Sequence, residues 1–571
     1  MIFAFLDKKI GKKDFKVVDL VFLFLFLCAT AFSLWKIKYG FGGRDEAFYL
    51  MLPYRLYQGD SLFFDERQRC LLFSFLTYPL VRLYMFIFKD TEGIILNFRY
   101  LYLFFQMITS LIIYWKLKRY SGIGALISSI VFLLYSPFNI MAISYNTVGI
   151  ACLTISLILL LNNDNKVELI ISGILYAAAV LCCPFLALTY IAYSFYILYQ
   201  KIIKKENAFF YAWLMFTVGV SILAILFLLF VFSRISFRQF LDSIGFVLSD
   251  ETSHPSRSLV QIILEYINET VFFTDYSAIL IGGLFITAAL NRFDKKRKER
   301  QDLYYMAFVL LGTLYLSHMF LVDGHINYLM FPVSLTGFFV LLCVGQEKAK
   351  RFMWCYMVPA FLYTLYLSMT SNTKTYAITS ASSVMLVLSI IIICKYAEKM
   401  NKDGLARKGI AILVTVMMLM QVSYLSYAKA TVVFPKQEVT DLVYHIEEGP
   451  FKGTNVDERT YNMYLSAYEE VDEIRRDRKE RSIVFFSPYN WLYLLASDFS
   501  IASPSSWYTA DPKQIGLLED MNEYYKVNKA KQPELIYVEE GFEDIVSSLD
   551  IIDNYSLTKT SFGKILYVRN K

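Results

Sequence analysis

Arg44, Asp45 and Glu46 stand side by side in "GFGGRDEAFYL" (40–50), directly after a long, mostly apolar run. A carboxylate at the centre of a bilayer costs about 2.5–3.5 kcal/mol even on a lenient insertion scale, so the pair belongs at the membrane's edge or beyond it. The chain continues "LPYRLYQGDSLFFDERQR", which adds Arg55, Asp60, Asp65, Glu66, Arg67 and Arg69 among Tyr and Phe. A helix from about Ala47 to Tyr57, a turn at "QGDS" and a second acidic pair would make a structured platform at the membrane surface. A carboxylate held within hydrogen-bond reach of a hydroxyl acts as a general base. Arginine grips an anionic head group through two parallel hydrogen bonds. Asp45 is the first candidate for the base and Glu46 the second. The plain alternative is a helix end meeting water, where charges belong. Asp65 and Glu66 fit either a solvated turn or a pair that assists the site or holds a divalent cation, and no metal is assigned.

What positions these residues is a membrane domain. Of the 571 residues 56% are hydrophobic and only 19% charged, with mean hydropathy +0.44. Soluble domains carry about 25% charged residues, and stretches such as "VVDLVFLFLFLCATAFSLW" approach the roughly 20 residues that cross a bilayer. Apolar spans fall near 17–39, 96–115, 122–138, 144–161, 167–183, 185–200, 208–232, 276–291, 303–321, 326–344, 352–370, 376–394 and 408–428. The stretch 71–88 is ambiguous, with Pro79 and Arg82 in its middle. If it does not cross, the N-terminus, "KLKR", "KIIKK", "RFDKKRKER", "QEKAKR" and "KYAEKMNKDGLARK" share one side, as the positive-inside rule requires. The expectation is therefore thirteen spans in the cell membrane, a cytoplasmic N-terminus on an uncleaved first helix, and an amphipathic or re-entrant segment at 71–88. Loops 40–95 and 233–275 and everything after about residue 430 then lie outside.

The net charge of +6 comes with no basic cluster in a soluble region, so nothing suggests nucleic acid. Most of the eight cysteines sit in apolar runs, and neither a disulfide framework nor a C-x-x-C pattern is visible. Residues 1–429 read as the membrane domain and 430–571 as a separate extracytoplasmic unit. In the latter, "SIVFFSP", "FSIASP", "ELIYVEE" and "KILYVRN" alternate with helical stretches, which predicts a small α/β domain. It carries no phosphate loop and no nucleophile elbow, and reads as an accessory or substrate-shaping domain.

The order of an apolar helix, an exit Asp-Glu, "AFYLMLPYRLYQGD", a second acidic cluster, a half-hydrophobic segment and "NFRYLYLFFQMITSLIIYWKLKRYSG" closely resembles the GT-C glycosyltransferases of the protein O-mannosyltransferase and aminoarabinose-transferase type. "SPFNIMAISYNTVGIACLTISLILLL", "SGILYAAAVLCCPFLALTYIAYSFYIL" and "DGHINYLMFPVSL" look like further parts of that family. The resemblance covers roughly residues 1 to 345 and fades in the tail. The family's thirteen-span layout with an outward C-terminal domain agrees with the topology derived from charge.

The resemblance implies a hexosyl- or pentosyltransferase. It would take a sugar from a polyprenyl phosphate in the bilayer to a hydroxyl of an extracytoplasmic glycolipid, polysaccharide or protein, inverting the anomeric carbon. Asp45, then Glu46, would serve as base. Arg55, Arg99, His254, Arg257 and His325 are candidates to hold the leaving phosphate; no cofactor is assigned, and a divalent cation stays open. The bland readings are an exposed loop histidine for His254 and a polar residue at a span start for His325. His318, inside a span, reads as a packed histidine. The chain departs from the family at "CCPF", where Arg-Pro is frequent, at His325, where Arg is common, and at "DERQRCLLF", which replaces a Pro-rich element. Sugar and acceptor stay open. So do three other readings: a lipid-linked saccharide flippase, a polysaccharide polymerase, and a non-catalytic envelope scaffold.

Overall fold

The computed structural model describes residues 16–570 except 162–164, 206–208, 250–257, 323, 344–346, 372, 401–404, 435–436, 508, 510 and 515. The first half runs α1 (Val17–Lys36), α2 (Gly43–Tyr57), α3 (Ser74–Phe88), α4 (Ile94–Leu117), α5 (Gly122–Leu134), α6 (Tyr145–Leu161), α7 (Lys166–Cys182), α8 (Leu186–Ile202) and α9 (Phe210–Phe232). Then come α10 (Phe237–Ser249), α11 (Leu259–Thr270), α12 (Asp275–Phe293), α13 (Gln301–Val322), α14 (Phe331–Cys343), α15 (Ala349–Thr370, with a π-turn at Met353–Met357), α16 (Thr375–Met400) and α17 (Leu405–Thr431). Each of the thirteen expected spans falls on one of these helices.

Among the described residues ten helices are long and apolar enough to cross a membrane, and Cys70–Phe88 is one of them. Its contacts show a different course. At one end Phe75 packs on Phe227 and Phe230, in the last turns of α9, with ring centroids 5.4 and 5.1 Å away. At the other end Tyr84 donates to Glu92 O (2.5 Å) and packs near Phe98, in the first turns of α4. Both ends of α3 thus touch the same end of the bundle, so the helix lies across that end. Length and composition alone cannot distinguish the two courses.

Small residues let the helices approach closely, as membrane packing demands. A Cβ added at Gly173 would lie 2.0 Å from Phe216 O, and one at Gly219 2.0 Å from Ile170 O, so α7 and α9 cross backbone to backbone. Gly219→Leu must force them apart. A lowered melting temperature of the purified protein is the expected result, since overpacking typically costs about 1–3 kcal/mol.

The helical part ends at Thr431, where a sheet-containing part begins with short hairpins β1/β2 (Val432–Val433, Gln437–Glu438) and β3/β4 (Tyr444–His445, Asn455–Val456). The long helix α18 (Glu458–Asp477) follows. A five-stranded sheet is built from β5 (Ser482–Phe486), β6 (Ser500–Ile501), β7 (Leu535–Val538), β8 (Tyr555–Lys559) and β9 (Ile565–Arg569). Its order is β6-β5-β7-β9-β8, parallel across β6, β5 and β7 and antiparallel beyond. Val484, Phe486, Ile536 and Val538 pack on Leu517, Met521, Tyr524 and Tyr525. Ile483, Phe485, Leu535 and Tyr537 face the opposite way, toward Val471, Ile474 and Trp491. Burial on both faces is why these strands read as unbroken apolar runs.

This domain is stitched to the loop after α1. Gly40 N donates to Asn455 O (2.9 Å), Asn455 N to Lys38 O (2.7 Å), Arg67 N to Pro504 O (2.9 Å), and Ile95 N to Pro450 O (3.1 Å). At the far end of the bundle Lys116 pairs with Glu168, Lys118 with Asp19, and Lys395 lies against Tyr120 and Phe352.

Candidate functional site

The acids expected just ahead of a helix are instead in its first turn. Gly42 caps α2, and Gly43 adopts φ +48°, in the left-handed region where glycine carries no Cβ penalty. Successive residues on a helix point about 100° apart, so Asp45 and Glu46 face different surroundings.

Glu46 turns toward α4. It accepts from Arg99 Nε and Nη2, both at 2.6 Å, while Arg99 Nη1 and Nη2 also donate to Ile37 O (3.0 Å) and Gly40 O (2.9 Å). Both side chains are buried. The pair neutralises itself and fixes the exit from α1 against the start of α4. Glu46→Gln weakens that bracket. It should lower the melting temperature, while activity per folded molecule falls far less than on changing Asp45.

Asp45 turns toward Tyr49, one turn on, and Tyr145 at the start of α6, both of which its charge reaches. The two tyrosine rings meet edge to face at 5.4 Å, and Cys70 adjoins Tyr145. Among the described residues Asp45 makes no hydrogen bond or salt bridge. Burial pushes its carboxyl up to about 6, against the opposing pull of Arg44. A half-buried carboxylate without a hydrogen-bond partner, ionised at neutral pH yet close to its pKa, is suited to take a proton from a hydroxyl.

The C-terminal domain supplies the facing wall. The Arg44 guanidinium lies 4.2 Å over the Trp507 ring, and Asn490 Nδ2 donates to Arg44 O (2.9 Å). Arg44 Nε, Asn490 Oδ1 and Ser506 Oγ are buried there with no protein hydrogen-bond partner. Buried polar atoms are rarely left so, and these three, on Arg44, on its partner Asn490 and next to Trp507 in sequence, offer a polar ligand both donors and acceptors.

The remaining candidates lie elsewhere. Arg55 is wholly buried, donating to Asp60 Oδ2 (2.7 Å), Glu66 Oε2 (2.8 Å), Asp65 O (2.9 Å) and, across the domain junction, Ser503 O (2.8 Å). Lys531 pairs with Asp60, and Asn528 donates to Asp65 Oδ1 (2.8 Å). Burial pushes the Glu66 carboxyl up while Arg55 pulls it down. Arg55, Asp65 and Glu66 therefore form one bracket between loop and domain. His325 Nδ1 accepts from Asn327 N (3.2 Å), with its ring edge-on to Tyr376 at 4.6 Å. No described contact joins it to Asp45. His318 accepts or donates a 2.7 Å bond with Thr274 at the head of α12. His254 and Arg257 lie outside the described residues. Among those described, no three His, Cys, Asp or Glu side chains gather as a metal ion would need.

The sequence reading had not singled out Tyr49, Cys70, Tyr145, Asn490 or Trp507. Tyr49 carried a readable signal, its i+4 spacing from Asp45. The others come from segments that only the folded chain brings together.

No protein-family model matches this chain, and no curated protein matches it by sequence. Among solved structures, ArnT from Cupriavidus metallidurans, in its apo state and bound to undecaprenyl phosphate, aligns with 96% of this chain and 97% of its own at 12% identity. The TM-scores are 0.41 and 0.40 respectively.

Proposed function

We propose that the protein is an integral-membrane glycosyltransferase of the GT-C type. It moves a sugar from a polyprenyl-phosphate donor to a hydroxyl of an extracytoplasmic glycolipid, envelope polysaccharide or protein. The observation that carries this reading is Asp45: a carboxylate with no hydrogen-bond partner where the membrane bundle meets a polar domain, beside a neighbour fully committed to Arg99. A lipid-borne donor and a water-borne acceptor meet only at such a boundary.

In this reaction the acceptor hydroxyl gives its proton to Asp45 as its oxygen attacks the anomeric carbon. The bond from that carbon to the phosphate oxygen breaks, its electron pair leaves with the lipid phosphate, and the configuration inverts. Charge growing on the phosphate calls for fixed cationic donors. Arg44, next to Asp45, is assigned to that role first, with His254, Arg257 and His325 the further candidates, because Arg55 is held by Asp60 and Glu66 and Arg99 by Glu46. The C-terminal domain faces the acceptor, with the N-terminus and the basic loops in the cytoplasm.

A pH profile tests the assignment. Asp45 must be ionised to act, so kcat/KM should rise with pH, reach half its plateau near the value of about 6 set by burial, and fall about tenfold per unit below it. A flat profile between pH 5 and 7 (roughly the range in which such a base titrates) would remove Asp45 from the role.

A further inference from the structure

In the C-terminal domain one hydroxyl hydrogen is set between two carboxyl groups. Tyr537, on β7, brings its Oη within 3.0 Å of Glu470 Oε2 on α18 and 3.1 Å of Glu539 Oε1, just past the end of its own strand. The other oxygen of each acid is engaged as well. Glu470 Oε1 accepts from Thr560 Oγ1 (2.8 Å), in the turn between β8 and β9, and Glu539 Oε2 accepts from Lys564 Nζ (2.7 Å).

A phenol has one hydrogen to give, and an ionised carboxylate has none. Two oxygen–oxygen contacts at hydrogen-bond distance therefore need a second proton, carried by one of the two acids. Lys564 neutralises Glu539. Glu470 is 4% exposed, and among the described residues no cation contacts it. The charged groups around it are Glu539 and Lys564 on the sheet side, Glu540 acting on Lys564, and Glu473, one turn along α18, which accepts from Ser561 N (3.0 Å). A carboxylate buried without its own counter-charge takes up a proton rather than bear the cost of desolvation. Burial, with the Glu539 charge added to it, pushes the Glu470 carboxyl up, against the pull of Thr560, Tyr537 and Lys564.

We propose that Glu470 carries a proton at neutral pH, and that Glu470, Tyr537 and Glu539 form a pH-sensitive clasp joining α18 to β7 and the β8–β9 turn. The Glu470 hydroxyl donates to Tyr537 Oη, whose own hydrogen goes to Glu539 Oε1. When Glu470 ionises, a single phenol hydrogen is left for two carboxylates, so one contact breaks and two like charges face each other. The clasp adds its full stability below the ordinary range of a glutamate and loses it as pH rises through the higher value in the folded domain. The inference stands whether or not the protein transfers sugar.

The test uses the full-length protein in lipid nanodiscs. At neutral pH the infrared C=O stretch of un-ionised carboxyl groups should be stronger in the native protein than in Glu470→Gln, and the difference should vanish as pH rises. The amide keeps the shape, donates to Tyr537 and accepts from Thr560, so it holds the clasp shut at every pH. The melting temperature of the native protein should then fall by a few degrees relative to Glu470→Gln over the same rise in pH. Amide exchange across residues 555–565, read by mass spectrometry and corrected for its intrinsic pH dependence, should quicken in the native protein in that range. That reading needs no variant to fold. No un-ionised band lost with Glu470, one pH dependence of melting shared by both proteins, or corrected exchange that ignores pH would each overturn the proposal.

Discussion

Asp45→Asn should lower the transfer rate by about 10²–10⁴-fold, the usual contribution of a positioned general base, and leave the fold intact. The amide keeps the shape of the side chain but cannot accept the acceptor's proton. Stability should not fall with it. The folded-state pKa of about 6 lies above the 3.8 of a solvated aspartate, so the folded protein holds the Asp45 proton more tightly than the unfolded chain does. Stability from this group is therefore present below about pH 4 and is lost as pH rises toward 6. At neutral pH the ionised carboxylate is a burden that asparagine removes. A melting temperature equal to or above that of the native protein, together with the lost rate, separates catalysis from folding. A fall in both together would show that Asp45 is structural.

The second large effect concerns the bracket around Arg55. Arg55→Met leaves the buried carboxylates of Asp60 and Glu66 without the cation between them. Removing one partner of a buried ion pair costs about 3–5 kcal/mol, a large fraction of the roughly 5–15 kcal/mol that holds a typical protein folded. Lys531 still reaches Asp60, so Glu66 bears most of the loss. The bond from Arg55 to Ser503 O also disappears, which loosens the C-terminal domain from the loop that carries Asp45. The expected results are a sharply lower melting temperature and faster proteolysis within residues 432–570. Adding Glu66→Gln to Arg55→Met should recover part of the loss, because it removes the orphaned charge. Without such recovery, charge balance is not what the bracket supplies.

Much of the fold was legible because the bilayer makes its demands on composition. A span must be apolar for its whole length, so thirteen runs stood out and each became a helix. Basic loops gave the course of 71–88, which its own length and apolarity obscure. The strands 482–486 and 535–538 were readable for a related reason, being buried on both faces.

The candidate site was legible only in part. The acidic pair was visible, but a sequence treats Asp45 and Glu46 as equals, and only the phase of α2 shows that Glu46 faces Arg99 while Asp45 does not. Arg55 looked like a binder of anions, because adjacent letters cannot reveal that Asp60 and Glu66 fold back around it. Trp507 and Asn490 lie more than 440 positions from Arg44, in a region with no motif of its own.

The most direct measurement is mass spectrometry of envelope glycans and lipid-linked sugars from cells whose only copy is either the native chain or Asp45→Asn. With the variant present at normal level, one sugar should disappear from a glycan and the matching polyprenyl-phosphate sugar should accumulate, which would identify donor and acceptor together. Identical profiles from the two strains, with a full deletion still changing the glycans, would contradict the account and move a transporter or scaffold ahead of a transferase.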